Sequence, residues 1–280
     1  MSGVLYVVAT PIGNLGDITE RAVSTLRACD RIAAEDTRHT KKLLSHLGIE
    51  GKPLDAIHAH SGPRDIAKLV SALEQGASVA LVTDAGTPIV SDPGEMLVSA
   101  AVRANIRIVP LPGPSAVLAA LAASGLPLGG GFRFLGFLPR DGTARAERIG
   151  TIASTAEAVV VFEAPERAHD TLADLANVMP ERGAVVAREL TKVHEEVVRG
   201  TLATLAADER EWRGEIVIVL AAWEPDKREA TITDEALDAR IDEELASGAH
   251  VKGIAERLAA WSGRKKRDVY ERVLQRKQER

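Results

Sequence analysis

The strongest constraint on this chain is a set of short stretches that are apolar without a break, of which Val79-Ala80-Leu81-Val82 is the clearest. A strand with one solvated face alternates. A strand that does not alternate is covered on both faces, the habit of parallel sheets lying between helices. Strands are expected at 4–9, 31–35, 78–83, 106–111, 132–138, 158–163, 184–188, 196–201 and 215–222. Between several of them, apolar residues recur at three- and four-residue spacing. That spacing predicts helices over 19–28 (Ala22, Val23, Leu26), 64–75 (Ile66, Leu69, Val70, Leu73) and 115–123 (Val117, Leu118, Leu121). The alternation implies an α/β protein whose first half is a parallel sheet. The close spacing of 184–188, 196–201 and 215–222 implies a mixed sheet with antiparallel pairs in the second half.

A length of 280 residues suggests two domains. Pro110-Leu111-Pro112-Gly113-Pro114 puts three prolines and a glycine into five residues, which reads as irregular backbone and as a hinge. The expected organisation is an N-terminal α/β domain over 1–111, a C-terminal α/β domain over 112–224 and a helical basic tail over 230–280. Tail helices are expected at 234–246, 250–262 and 266–278, with Gly248 and Gly263 as breakers between them. No apolar run approaches the roughly 18 residues of a membrane span. No basic leader precedes the first strand, and one cysteine, Cys29, cannot form an internal disulfide. Together these read as a cytoplasmic protein. The net charge of −5 argues against bulk attraction to nucleic acid. Residues 251–280 nonetheless hold ten Lys/Arg against four Asp/Glu, a basic tail on an acidic body. Charge alone leaves an anionic partner and a solvated helix face both open.

In open parallel sheets, ligands bind beyond the carboxyl ends of the strands. Six strand ends here empty into small, Gly/Pro-rich or charged segments. They are Thr10-Pro11-Ile12-Gly13-Asn14-Leu15, Asp36-Thr37-Arg38-His39-Thr40, Asp84-Ala85-Gly86-Thr87-Pro88 (continuing to Ser91-Asp92-Pro93-Gly94), the Pro-rich hinge ending in Ser115, Glu163-Ala164-Pro165, and Arg188-Glu189-Leu190-Thr191-Lys192. Glycine lets backbone approach a ligand and proline fixes the loop in advance. Any one of these is an ordinary turn; six in register point to a site. The first strand is not followed by GxGxxG, and there is no GxxxxGK[ST], no HExxH and no GxSxG. His58 and His60 have no nearby Cys or third His, so no metal site is expected.

The strings LYVVATPIGNLGDIT, AAEDTRHTKKLL, VTDAGTPIVSDPG, PLPGPSA, FEAPER and RELTKVHEE closely resemble the ribosomal RNA small subunit methyltransferase I family of tetrapyrrole-methylase-like (class III) enzymes. The resemblance covers nearly the whole chain in order. It implies two α/β domains with S-adenosylmethionine (SAM) in the cleft between them, and a homodimer. It also implies 2′-O-methylation of a cytidine ribose in the decoding centre of 16S rRNA. Matched by motif, Pro11, Ile12 and Gly13 contact SAM from the first loop. Gly86, Thr87, Pro88 and Val90 wrap its methionine part and ribose, and Ser115 and Ala116 form the turn after the hinge. Phe162 and Glu163 supply a wall on the adenine side, with Arg188, Glu189 and Leu190, and Gly214, Glu215 and Ile216, lining that side. Ser61 and Glu166 depart from the family, which usually has Asn and often has His there.

A ribose hydroxyl is a poor nucleophile, so something must take its proton or stabilise the forming alkoxide. The charged loops offer Glu35, Asp36, Arg38, His58, His60, Glu189 and Lys192. Arg38 and Lys192 are favoured as positive groups near ribose and phosphates, with Glu35 or Glu189 orienting them; salt bridges between the domains are the competing role. The general base stays unassigned. RNA binding is expected to use these loops and the tail, where Arg264, Lys265, Lys266 and Arg267 open the last helix with Tyr270 one turn on. Four cations at a helix start oppose the helix dipole, which favours a functional reason for them. Two other readings compete: methylation of a tetrapyrrole-like small molecule, disfavoured by the basic tail, and a non-catalytic RNA-binding assembly factor, disfavoured by the intact cofactor loops.

Overall fold

A computed structural model describes residues 2–58, 61–223, 234–246, 249–262 and 266–278. The chain divides into two compact units, 1–223 and 224–280. The first unit opens with β1 (Val4–Val8), α1 (Glu20–Ala28), β2 (Arg31–Ala34), α2 (Thr37–His46), β3 (Leu54–Ala56), α3 (Pro63–Glu74), β4 (Val79–Val82), α4 (Glu95–Arg103) and β5 (Arg107–Leu111). Its five strands form one wholly parallel sheet in the order β3-β2-β4-β1-β5. The unbroken apolar run of β4 has a direct cause. Val79 and Leu81 point into the core that α3 and α4 close with Leu69, Leu73 and Leu97. Ala80 and Val82 point the other way, into the core around Leu26, Ile32 and Leu44.

The chain continues through α5 (Ala116–Ser124), β6 (Phe132–Phe137), α6 (Gly142–Ser154), β7 (Ala158–Glu163), α7 (Ala168–Val178), β8 (Gly183–Arg188), β9 (Glu196–Thr201), α8 (Leu202–Ala206) and β10 (Ile216–Leu220). These strands form a mixed sheet in the order β6-β7-β10-β8-β9, in which only β6 and β7 run parallel. The two-face logic recurs in β10. Ile216, Ile218 and Leu220 face a core built with Ile152, Leu172 and Leu175, while Val217 and Val219 face Val117 and Ala120 of α5. Arg182 is fully buried below this sheet, where its guanidinium donates to the carbonyls of Ile152, Glu157 and Ala221 at 2.8, 3.0 and 2.9 Å. Burial pulls it down to about 10, so it remains charged at neutral pH.

One expectation needs correction. Pro110 and Leu111 are not irregular: they are the last residues of β5, paired with Val7 and Val8. β5 is an edge strand, so the missing N–H of Pro110 breaks no ladder on its open side. The irregular backbone starts after Leu111.

In the second unit, α9 (Asp234–Ala246), α10 (Val251–Ser262) and α11 (Lys266–Gln278) pack around Leu237, Ile241, Ile254, Leu258, Val269 and Val273. Much of the basic charge is spent internally: Arg272 pairs with Asp238, Arg276 with Asp242 and Arg257 with Glu244. Gly248, Gly263, Arg264 and Lys265 lie outside the described residues. Among the described residues no helix is long and apolar enough to cross a membrane.

Candidate active site

Three loops at the carboxyl end of the parallel sheet are tied to one another. Thr10 and Gly86 exchange backbone hydrogen bonds of 2.9 and 3.0 Å, and the Thr10 hydroxyl donates to the Thr83 carbonyl at 3.1 Å. The Thr87 hydroxyl donates to the carbonyl of Pro114 at 3.2 Å, which joins the segment before α5 to the other two. Gly86 has φ +83°, a left-handed backbone that glycine adopts without strain, and it packs in ordinary contact with Ile12. Beyond it, Ile89 and Ser91 have φ +78° and +67°. A β-branched residue in that region is a true outlier, held only because its surroundings over-determine it.

From the mixed sheet, the carboxyl ends of β6 and β7 and the start of β10 arrive opposite these loops. Together they enclose a cavity of about 380 Å³. Its walls are mainly apolar: Ile12, Val90, Val117, Phe162, Ile216 and Val217 all line it. That size and character suit a small organic ligand. Gly214, at φ +79°, forms part of the rim, and a Cβ on it would overlap the Glu189 side chain. Glu189 clamps this rim: its backbone N–H donates to the Glu215 carbonyl at 2.9 Å, and its Oε1 accepts from the Glu215 N–H at 3.0 Å. Lys192 donates to Glu189 Oε1 at 2.7 Å and reaches Glu215 at 3.2 Å. Burial draws the Lys192 ammonium down, but its two carboxylate partners outweigh that and leave it above the ordinary lysine value.

Carboxylates stand on two sides of the cavity in different states. Glu163, at the end of β7, has a fully buried side chain. It accepts from the Ala164 N–H at 2.9 Å, the Thr171 hydroxyl at 2.6 Å and the Arg167 guanidinium. Across from it, Glu35, Asp84 and Asp92 gather at the ends of β2 and β4. Glu35 Oε2 accepts from the Thr83 hydroxyl at 2.6 Å and the Asp84 N–H at 3.3 Å, and Asp84 Oδ1 accepts from the Asp36 N–H at 3.1 Å. Burial first, and the neighbouring Glu35 second, push Asp92 up to about 6, against the Thr83 hydroxyl pulling it down. Burial also raises Asp84. Among the described residues no His/Cys/Asp/Glu group has the geometry to hold a metal ion.

Residues 4–206 match the family described as Tetrapyrrole (Corrin/Porphyrin) Methylases. A Xylella fastidiosa protein named Ribosomal RNA small subunit methyltransferase I is 48% identical over 260 residues, covering 91% of this chain and 94% of that protein. The chain belongs to the ribosomal RNA small subunit methyltransferase I family, within the tetrapyrrole methylases. A Pseudomonas aeruginosa protein of the same name is 42% identical over 280 residues, with 98% of each chain covered. In fold, the chain is similar to uroporphyrin-III C-methyl transferase from Thermus thermophilus complexed with S-adenyl homocysteine. The TM-score is 0.54 at 20% identity, over 78% of this chain and 97% of that one.

For this methyltransferase-family chain, the structure brings many of the motif residues to one place. Ile12, Gly86, Thr87, Val90, Ser115, Ala116, Phe162, Glu163, Gly214, Glu215 and Ile216 all line the cavity. Pro11 lies instead on a separate recess of about 130 Å³ with His39, Lys42 and Asp84. Gly13 packs on Lys192 and on Thr191, whose hydroxyl is buried without a hydrogen-bond partner. Pro88 and Leu190 are buried behind the lining, and Arg188 turns away to pair with Glu196 at 2.7 Å. Glu35 reaches the cavity only through its neighbours. Arg38, with 88% of its side chain exposed, pairs loosely with Asp36 at 3.5 Å. Motif reasoning misses Asp92 and Phe137, which also line the cavity. The string Ser91-Asp92-Pro93-Gly94 carries a signal for the first. Nothing local marks Phe137 until β6 is placed beside β7.

Proposed function

We propose that this chain transfers a methyl group from SAM to the 2′-oxygen of a cytidine ribose in the decoding centre of 16S rRNA. The observation that carries the reading is the largely apolar cavity lined by the family's motif loops, in a chain 42% to 48% identical to proteins named for small-subunit rRNA methylation. The residues present fit SAM: apolar walls for a nucleoside and thioether, and backbone rather than charged side chains at Gly86 and Gly214. When bound, SAM supplies an electrophilic methyl on a sulfonium. Ile12, Thr87, Val90 and Phe162 hold and orient it and keep water out, and that alignment supplies a large part of the rate.

Asp92 takes the hydroxyl proton of the acceptor ribose at a carboxylate oxygen as the oxygen attacks. Its value near 6 leaves it ionised at neutral pH yet basic enough to act. Glu35 raises the basicity of Asp92 and is itself anchored by Thr83. Glu189 and Lys192 act as positioning residues for the Gly214–Glu215 rim, and exposed Arg38 meets RNA phosphate. Lys192→Ala is expected to cut turnover more than SAM affinity. The tail, through Arg264, Lys265, Lys266, Arg267 and Tyr270, holds RNA, with residues 1–111 and 112–224 gripping the cofactor as two halves of a homodimer's protomer. The protein then works in the cytoplasm with its substrate. Small subunits, free 16S rRNA and a tetrapyrrole, each incubated with labelled SAM, test the reading. Label in a cytidine ribose of the rRNA is expected; label only in the tetrapyrrole, or none in RNA, overturns it. Deleting 230–280 should weaken RNA binding and leave SAM binding intact.

A further inference from the structure

Phe137 is 58% exposed, unusual for a phenylalanine in a chain whose aromatic residues make up only 3%. It ends β6 after a register shift against β7, and Gly136 before it has φ +64°. The ring meets Phe162 in a T-shaped contact, 5.7 Å between centroids, so one part of it is anchored while more than half of the residue stays open. With Ala164, it lines both the cofactor cavity and an adjoining recess of about 570 Å³, so the two spaces meet at this ring. The recess carries Arg140 and Glu166 as well. Arg140 is exposed and has no ion pair among the described residues.

The strip between Phe137 and Arg140 is held rigid from below. Arg167 donates to the Leu138 carbonyl at 3.2 Å, and Arg145 to the Pro139 carbonyl at 3.0 Å. Both guanidiniums are locked in turn, Arg167 by Glu163 and Arg145 by Asp174 at 2.7 Å. An anchored but largely exposed aromatic ring, a guanidinium without an ion pair among the described residues and a carboxylate acceptor in one recess match the parts of a nucleotide. Unstacked bases stack on aromatic rings, arginine binds phosphate, and a carboxylate accepts from a base amino group. An apolar protein partner would leave Arg140 and Glu166 buried without partners.

We propose that this recess seats the acceptor nucleotide, with its base on the Phe137 ring and its phosphate toward Arg140, so that the ribose lies at the opening into the cofactor cavity. The inference rests on the reading of the chain as an RNA methyltransferase. It makes Phe137 and Arg140 substrate-binding residues.

The test is steady-state methylation of small ribosomal subunits with labelled SAM by the full chain. Phe137→Leu should raise KM for the subunit and lower kcat/KM by about 5- to 150-fold, the range expected for losing one base stack. Phe137→Trp should restore most of it. Arg140→Ala should raise KM, lower the salt slope of log KM by about one phosphate contact, and leave S-adenosylhomocysteine binding at the wild-type value by calorimetry. Wild-type KM in both Phe137→Leu and Arg140→Ala overturns the inference, as does a Phe137→Trp variant whose KM is no better than that of Phe137→Leu. Absence of label in RNA with the wild-type chain would instead remove the reading on which it rests.

Discussion

The two sides of the cofactor cavity treat a carboxylate in opposite ways. Glu163 is fully buried and answered on both oxygens, by Arg167, Thr171 and the Ala164 N–H. Asp92 is half-buried beside Glu35 and Asp84, and no described cation pairs with it. A buried charge with partners is structural: it stiffens the strip that carries Phe137. A buried charge with like-charged neighbours is a cost to the fold, kept where a proton must be taken. On the proposed function, one side of the cavity holds while the other takes the proton.

The largest test is Asp92→Asn. Loss of the general base should lower kcat by about 10²- to 10⁴-fold with little change in SAM affinity by calorimetry. Stability should move the opposite way. Asp92 is raised in the folded chain from 3.8 to about 6, so the folded state binds more protons than the unfolded one between those values. Stability therefore falls as pH rises through that window, and the penalty is fully present at neutral pH. Removing the carboxylate should return on the order of 1–3 kcal/mol, read as a higher melting temperature at pH 7.5 and none at pH 3.5. A variant that is dead and also less stable would break the comparison.

Next comes the pH profile. Wild-type kcat should fall about tenfold per unit below pH 6, as Asp92 takes up its proton. The residual activity of Asp92→Asn should lack that limb. Glu163→Gln should behave as its mirror image. The Arg167 guanidinium loses its counter-charge and the chain loses on the order of 2–4 kcal/mol, less than for a sealed pair because Arg167 is 20% exposed. The surviving folded enzyme should keep the limb near pH 6. Thr171→Val is the smallest step: the hydroxyl's bond to Glu163 and the one it accepts from Arg145 are both lost, at about 1–3 kcal/mol by thermal or urea unfolding. If Thr171→Val instead shifted the pH limb, the two sides would not be independent.

How legible these features were depended on their range in the sequence. Unbroken runs such as 79–82 and 216–220 are legible because a strand covered on both faces must be apolar at every position. The helices of the tail are legible from their spacing. β3 is three residues long, too short to show a period, and Pro110 looked like a break because nothing local says that β5 is an edge. The motif loops name most of the cavity lining, because glycine and proline at strand ends signal close approach without help from elsewhere.

The chemistry of individual side chains was a tertiary matter. Arg38 and Lys192 read alike as positive groups near the ribose and phosphates, yet one is 88% exposed and the other is tied to Glu189 and Glu215. Asp92 became the candidate base because β2 and β4 are neighbours, which brings Glu35 to it across more than fifty residues of chain. Sequence determined the layers, the loops and the family, since these follow from periodicity and local backbone freedom. Only the folded chain decided which charges are paired, because electrostatic fate depends on distance and desolvation, and neither is written in the order of residues.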